Sequence, residues 1–171
     1  MLKTIREEYP KDIAAIRDVN QQAFGQLQES QLIDNLRANK GILLSLVATL
    51  NDHVIGHVLY SPVSVSANGD NIIGAGLGPM AVLPEYQRQG IGSKLIDAGN
   101  QILQKSGFPF IVVLGHPEYY PRFGFKPAGT YGLKCEWDVP DDVFMMLILD
   151  PSKMKQISGL AKYRQEFSSV V

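Results

Sequence analysis

Apolar side chains recur at Ile13, Ile16, Val19 and Ala23, the spacing of one helix face, behind Pro10, whose fixed φ suits a first helical turn. The chain is thus predicted to open on a helix. Leu32, Ile33 and Leu36 give a second, shorter helical stripe that stops at Lys40-Gly41. From Leu43 to Thr49 the chain is apolar without that period and reads as a strand. Asn51-Asp52 then turns it into a second strand that starts near Val54 and runs toward Val65, and Ala67-Asn68-Gly69-Asp70 turns it again. A third strand is predicted from Ile72 to Val82. Gly74, Gly76, Gly78 and Pro79 interrupt it, as at a bulge or where a ligand meets bare backbone.

From Ile91 the period returns to that of a helix. Ile91, Leu95, Ala98 and Ile102 form its stripe, Ile96 and Leu103 widen it, and Gly107 closes it. The wholly apolar Ile111-Val112-Val113-Leu114 follows, as expected for a strand covered on both faces and parallel to its predecessor. Strand, loop, helix and strand make a βαβ unit. Leu133–Trp137 and Val143–Leu149 read as two further strands, expected to be antiparallel, and the residues from Pro151 have weak helical character. The chain of 171 residues fits one α/β domain over 1–150, with residues 151–171 as a tail of the same domain.

Composition narrows the partners. Lys and Arg number 16 against 17 Asp and Glu, so no global positive field gathers nucleic acid or anionic membrane. No apolar run approaches the ~18 residues that a membrane span needs, and the amino terminus reads as neither signal nor anchor. The single cysteine, Cys135, forms no disulfide framework and suits a reducing compartment, so the expected location is cytoplasmic. Three scattered histidines, His53, His57 and His116, with one cysteine make no metal site. Trp137 near Cys135 reads as packing. Lys153, Lys155, Lys162 and Arg164 read as a solvated helix face or a dimer contact, leaving monomer and homodimer both open.

The chemistry concentrates at Glu85-Tyr86-Gln87-Arg88-Gln89-Gly90-Ile91-Gly92-Ser93-Lys94-Leu95. A P-loop requires Lys followed by Ser or Thr, whereas here Ser93 precedes Lys94. A dinucleotide fingerprint requires a third glycine, and Leu95 stands in its place; nor does an acidic residue lie about twenty positions on. What remains is a run of backbone amides, Arg88 through Ser93, curling into a helix N-terminus. Such a nest suits a pyrophosphate held without metal.

Met80 to Gly92, with Val82-x-Pro84-x-x-Gln87 and Gln87-x-x-Gly90-x-Gly92, resembles the acyl-CoA-binding motif of the GCN5-related N-acetyltransferase (GNAT) superfamily. Tyr119-Tyr120-Pro121-Arg122-Phe123-Gly124-Phe125 resembles that superfamily's Y-x-x-x-G-F element, and the string from Leu114 is similar to a branch of predicted acetyltransferases. The likeness covers most of residues 1–150. It implies a mixed, mostly antiparallel, splayed sheet flanked by helices, and acetyl-CoA as acyl donor bound without metal.

The resemblance also implies roles. A backbone N–H around Met80, Ala81 or Val82 polarises the thioester carbonyl, while Gln87, Arg88, Gln89, Gly90, Ile91, Gly92 and Ser93 form the pyrophosphate cradle. Tyr120 takes the place of the acid that protonates the leaving thiolate, with Tyr119 as its rival. The glutamate base that many members carry on the preceding strand is missing, for Leu77, Met80 and Val82 stand there. His116, Glu29 on the acceptor side, or a wire of waters would replace it. The implied activity is an acyltransferase one, N-acetyl transfer to a primary amine on a small molecule or a protein. O-acyl transfer, and a CoA-binding sensor module that catalyses nothing, are the other readings.

Overall fold

The computed structural model describes residues 3–67, 69–155 and 157–170, so Asn68 of the second predicted turn lies outside the described residues. In chain order the elements are β1 (Lys3–Glu7), α1 (Ile13–Phe24), α2 (Gln28–Ala38), β2 (Leu44–Leu50), β3 (His53–Ala67), β4 (Asp70–Val82), α3 (Ile91–Lys105), β5 (Phe110–Leu114), β6 (Lys126–Pro127), β7 (Leu133–Cys135), β8 (Phe144–Ile148) and β9 (Gly159–Lys162). The strands form a mixed, mostly antiparallel open sheet in the order β1-β2-β3-β4-β5-β8-β6, with β9 pairing β3 and β7. Among the described residues no helix is long and apolar enough to cross a membrane.

By its internal contacts the chain divides into two compact units. The first holds the amino-terminal residues to Tyr60, Gly78–Gly99 and the segment from Glu166; the second holds Ser61–Leu77 and Asn100–Gln165. In the first unit β2 pairs β1 and β3 antiparallel, and the turn between β2 and β3 is made by Asn51 and Asp52 at φ 50° and 65°. Two positive φ values in succession give a turn whose twist matches the strands it joins, which is why Asn and Asp stand there. Ile16, Val19, Leu32, Ile33 and Leu36 bury the predicted faces of α1 and α2, and Arg17 pairs with Asp34 at 2.8 Å between the two helices. Arg37 pairs with Glu8, and Arg6 with the buried Asp12 at 2.7 Å.

One feature of this unit has no signature in the sequence. His57 on β3 is fully buried, its Nδ1 3.2 Å from Asn20 Nδ2 of α1 and its Nε2 2.9 Å from Ser45 Oγ of β2. An amide nitrogen can only donate, so Nδ1 accepts and the ring proton sits on Nε2. Burial, aided by the Arg37 charge, lowers the His57 pKa from 6.5 to about 3. The unfolded chain therefore takes up a proton below pH 6.5 that the fold refuses, and stability drains away as pH falls through that window. We expect about 2 kcal/mol to be lost between pH 7 and pH 5. Urea unfolding at the two pH values measures it, and in His57→Gln this part of the acid sensitivity should vanish.

The βαβ unit forms as predicted, with β4 and β5 parallel from Ala75↔Ile111 to Leu77↔Val113. The face of α3 differs in detail. Ile102 is 37% exposed, and the helix instead turns Ile91, Leu95, Ile96, Gly99 and Leu103 inward. Gly99 explains the rotation, because a Cβ there would lie 2.4 Å from the Tyr60 ring, which is buried and donates its hydroxyl to Ile96 O. In the second unit Phe110, Val112, Phe144 and Met146 are core residues, and Gly74 gives the room that the Phe110 ring fills.

Three strands escape the periodicity, namely β1, β6 and β9. Two expectations are corrected. Leu133–Trp137 shortens to β7, which pairs parallel with β9, whereas Phe144–Ile148 is antiparallel to both β5 and β6. Among the described residues from Pro151 there is no helix face: 3-10 turns at Pro151–Lys153 and Gln165–Ser169 flank β9. Lys162 lies on that strand, and Lys153 Nζ donates to Gly107 O at 2.8 Å. Trp137 packs against Tyr163 with ring centres 5.1 Å apart, as its reading as a packing residue requires.

Candidate functional site

In the first unit the functional segment begins at the end of β4. Gly78 has φ 137°, and Pro79 after it has no N–H to give a ladder. Met80 is half-buried, and Ala81 and Val82 are buried. Leu83 N–H donates to Ile55 O at 2.9 Å, which ties the strand end to β3. A 3-10 turn, Pro84–Tyr86, then reverses the chain, and Gln87 Nε2 reaches back to Val82 O at 3.0 Å. Gln87 thereby clamps the loop onto the strand whose amides the resemblance assigns to the thioester.

The loop conformation is the decisive part. Arg88 at φ 62° and Gly90 at φ 83° place two left-handed residues in three, an alternation that turns successive N–H groups toward one side. Lys94 N–H closes the first turn of α3 on Gly90 O at 3.1 Å, so Ile91, Gly92 and Ser93 make up that first turn. Ile91 is buried beneath them and packs on Gly56, where an added Cβ would come 3.2 Å from it. The helix start is anchored by its apolar residue while Gln87, Arg88, Gln89 and Gly90 stay exposed. Together these features make an exposed loop leading into a helix start, a kind of position whose amides and dipole favour an anion.

In the second unit β5 leads into Gly115, whose N–H donates to Val143 O at 3.0 Å. The carbonyl of His116 accepts the amides of Tyr119 at 3.1 Å and Tyr120 at 3.3 Å, starting the 3-10 turn Tyr120–Phe123 that Gly124 ends at φ 95°. The turn sends the adjacent tyrosines different ways. Tyr120 is only 8% exposed and packs edge-on against Phe125 at 5.8 Å, while Tyr119 is half-buried under the Arg122 guanidinium at 4.5 Å. Burial, with Tyr119 beside it, pushes the Tyr120 hydroxyl up to about 12. The ring lies against Gly115, where a Cβ would fall 2.2 Å from it.

His116, Tyr119 and Tyr120 thus share one turn, and Met80 through Ser93 form one strand-turn-helix segment. The His116 side chain is exposed. Glu29 stands in the first turn of α2, where both of its carboxylate oxygens accept from Gln26 Nε2 at 3.0 Å. Among the described residues no three His, Cys, Asp or Glu side chains are grouped to hold a metal. Sequence reasoning passed over Gly115, although a glycine directly after a buried strand and before an aromatic cluster signals close approach.

The family described as Acetyltransferase (GNAT) domain matches residues 4–128. The chain belongs to the GNAT acetyltransferase family. The Escherichia coli K12 N-acetyltransferase YhbS is 33% identical over 165 residues, 96% of this chain and 98% of the relative. YhbS has been solved in complex with CoA; over 99% of this chain and 93% of that one, the TM-score is 0.93 at 32% identity. A GNAT family acetyltransferase from Brucella melitensis, solved with acetyl-CoA, gives 0.81 at 36% identity over 97% of this chain and 98% of that one. The loop at the head of α3 and the tyrosine turn therefore sit on a GNAT scaffold, and the chain is an N-acetyltransferase by family.

Proposed function

We propose that this GNAT protein transfers the acetyl group of acetyl-CoA to a primary amine by direct attack. The observation that carries the proposal is the left-handed pair Arg88 and Gly90 at the head of α3, a conformation suited to turning successive amides toward one anion. That group is the pyrophosphate of the donor, held by Gln87 through Ser93 without a metal. Amides of Met80 to Val82 hold the pantetheine and polarise the thioester carbonyl, so that negative charge building on its oxygen meets a fixed donor. The relatives solved with CoA and acetyl-CoA support the choice of donor.

Attack by the amine makes a C–N bond, breaks the C–S bond and leaves a thiolate, while the amine sheds a proton. Tyr120 is the acid in this reading. A hydroxyl near 12 stays protonated across the working range and can always donate. A solution thiolate near ~8.5 would accept its proton only uphill, but the low polarity that raises Tyr120 raises a buried thiol too. Tyr119, stacked under Arg122, is the less suitable of the two. For the base we favour His116 over Glu29, since His116 shares the turn with Tyr120 and the Glu29 oxygens are engaged by Gln26.

The test is single-turnover release of free thiol from acetyl-CoA with a library of primary amines. Release that rises with at least one amine is the expected result. Tight CoA binding with no amine above background would turn the reading toward a CoA sensor, the alternative that the missing strand carboxylate favours.

A further inference from the structure

We propose that Arg122 recognises an anionic group on the acceptor, so that the preferred amine carries a carboxylate. The inference rests on the reading of Tyr120 as the acid and adds a substrate class to it. Arg6, Arg17 and Arg37 each pair with a carboxylate, from Asp12, Asp34 and Glu8. Arg122 is held differently. Its Nε donates to Tyr119 O at 3.1 Å and its guanidinium carbon lies 4.5 Å over the centre of the Tyr119 ring. Glu118, four residues earlier, makes no ion pair with it among the described residues, nor does any other acid.

One hydrogen bond and the ring contact engage the exposed Arg122 at its Nε and Cζ, and neither Nη atom of its fork has a partner among the described residues. Such a fork matches a carboxylate with two parallel hydrogen bonds, and fixing it beforehand removes most of the ordering cost of a long side chain. Its support is rigid as well. Tyr119 packs edge-on against Tyr120 at 5.1 Å and Phe123 at 5.3 Å, so the stack rests on the cluster that sets the acid. A fixed cation one ring away from Tyr120 lies close to the site of bond exchange, where an acceptor must present its amine. An anion bound by the fork would orient that amine without joining the proton transfers, making Arg122 a positioning residue for the acceptor.

The experiment compares matched probes, glycine, β-alanine and 4-aminobutyrate against ethylamine, propylamine and butylamine, in the parent, Arg122→Gln and Arg122→Lys. In the parent, kcat/KM should favour the carboxylated members. Arg122→Gln should raise their KM by ~10- to 100-fold, the loss of a charge-assisted pair. It should leave kcat at saturation, the plain amines and the KM for acetyl-CoA within about threefold. Arg122→Lys should recover part of the loss. An equal fall for charged and plain amines would reduce Arg122 to a packing role and overturn the proposal. A selective rise in the KM for acetyl-CoA would show that the anion is a donor phosphate, overturning it equally. Transfer to plain amines with no preference for the carboxylated ones overturns the proposal while sparing the N-acetyltransferase reading; no transfer to any amine, with CoA still bound, removes that reading first.

Discussion

Tyr120→Phe is expected to lower kcat by at least ~100-fold and to leave the KM for acetyl-CoA nearly unchanged. Phenylalanine keeps the ring, its contact with Gly115 and its edge packing on Phe125, and removes only the hydroxyl. General acid catalysis contributes roughly 100- to 10,000-fold, and the loss falls on the step in which the thiolate leaves. The pH profile offers a second check. With Tyr120 raised to about 12 by burial, its titration lies beyond the ordinary range, so any limb between pH 6 and pH 10 belongs to another group and survives the substitution. Steady-state kinetics with a saturating amine decides the matter: a fall of less than about threefold removes Tyr120 from the chemistry, and a matching fall in Tyr119→Phe alone would hand it the role.

Gly115→Ala should produce nearly the same kinetic defect from a residue with no side chain to act with. The new Cβ would stand 2.2 Å from Tyr120 Cε2 and 2.8 Å from its Cδ2, far inside van der Waals contact, and the ring must swing away. The hydroxyl, at the far end of a rigid ring, moves furthest. A displacement near 1 Å at a catalytic group costs about 100-fold, so kcat should approach that of Tyr120→Phe. Stability should fall as well, by about 1–3 kcal/mol, as overpacking does. The combination Gly115→Ala with Tyr120→Phe separates the two effects: if the glycine acts only through the tyrosine hydroxyl, the double variant is no slower than Tyr120→Phe. Additive losses would mean that Gly115 acts through something else.

What could be read from the sequence was what is local. The helices α1, α2 and α3, the β2–β3 turn at Asn51-Asp52 and the βαβ unit each carry their period or turn residues within a short window. The start of α3 at Ile91 was legible for the same reason, since the glycines that shape a helix start lie within a few residues of it. β1 and β9 escaped because their ladders are set by distant partners; β9 buries only Ala161, too little to show a period. The face of α3 turned away from Ile102 because a tyrosine 39 positions before Gly99 needs the room that glycine leaves, and nothing near the helix records it. His57 lies 37 residues from Asn20 and 12 from Ser45, so its polar companions appear only once α1 and β2 are folded around it.

The placement of β9 has a consequence for how the protein is made. Ala161 pairs with Val65 and Cys135 in the second unit, and Phe167, a few residues later, is buried as part of the first. Each unit thus takes a piece from the short stretch that follows Gly159. A nascent chain halted before Gly159 would hold Ser64 and Val65 of β3, and all of β7, with no strand yet made to pair β9's side of them. Neither unit can complete its pairing before the residues from Gly159 onward are made.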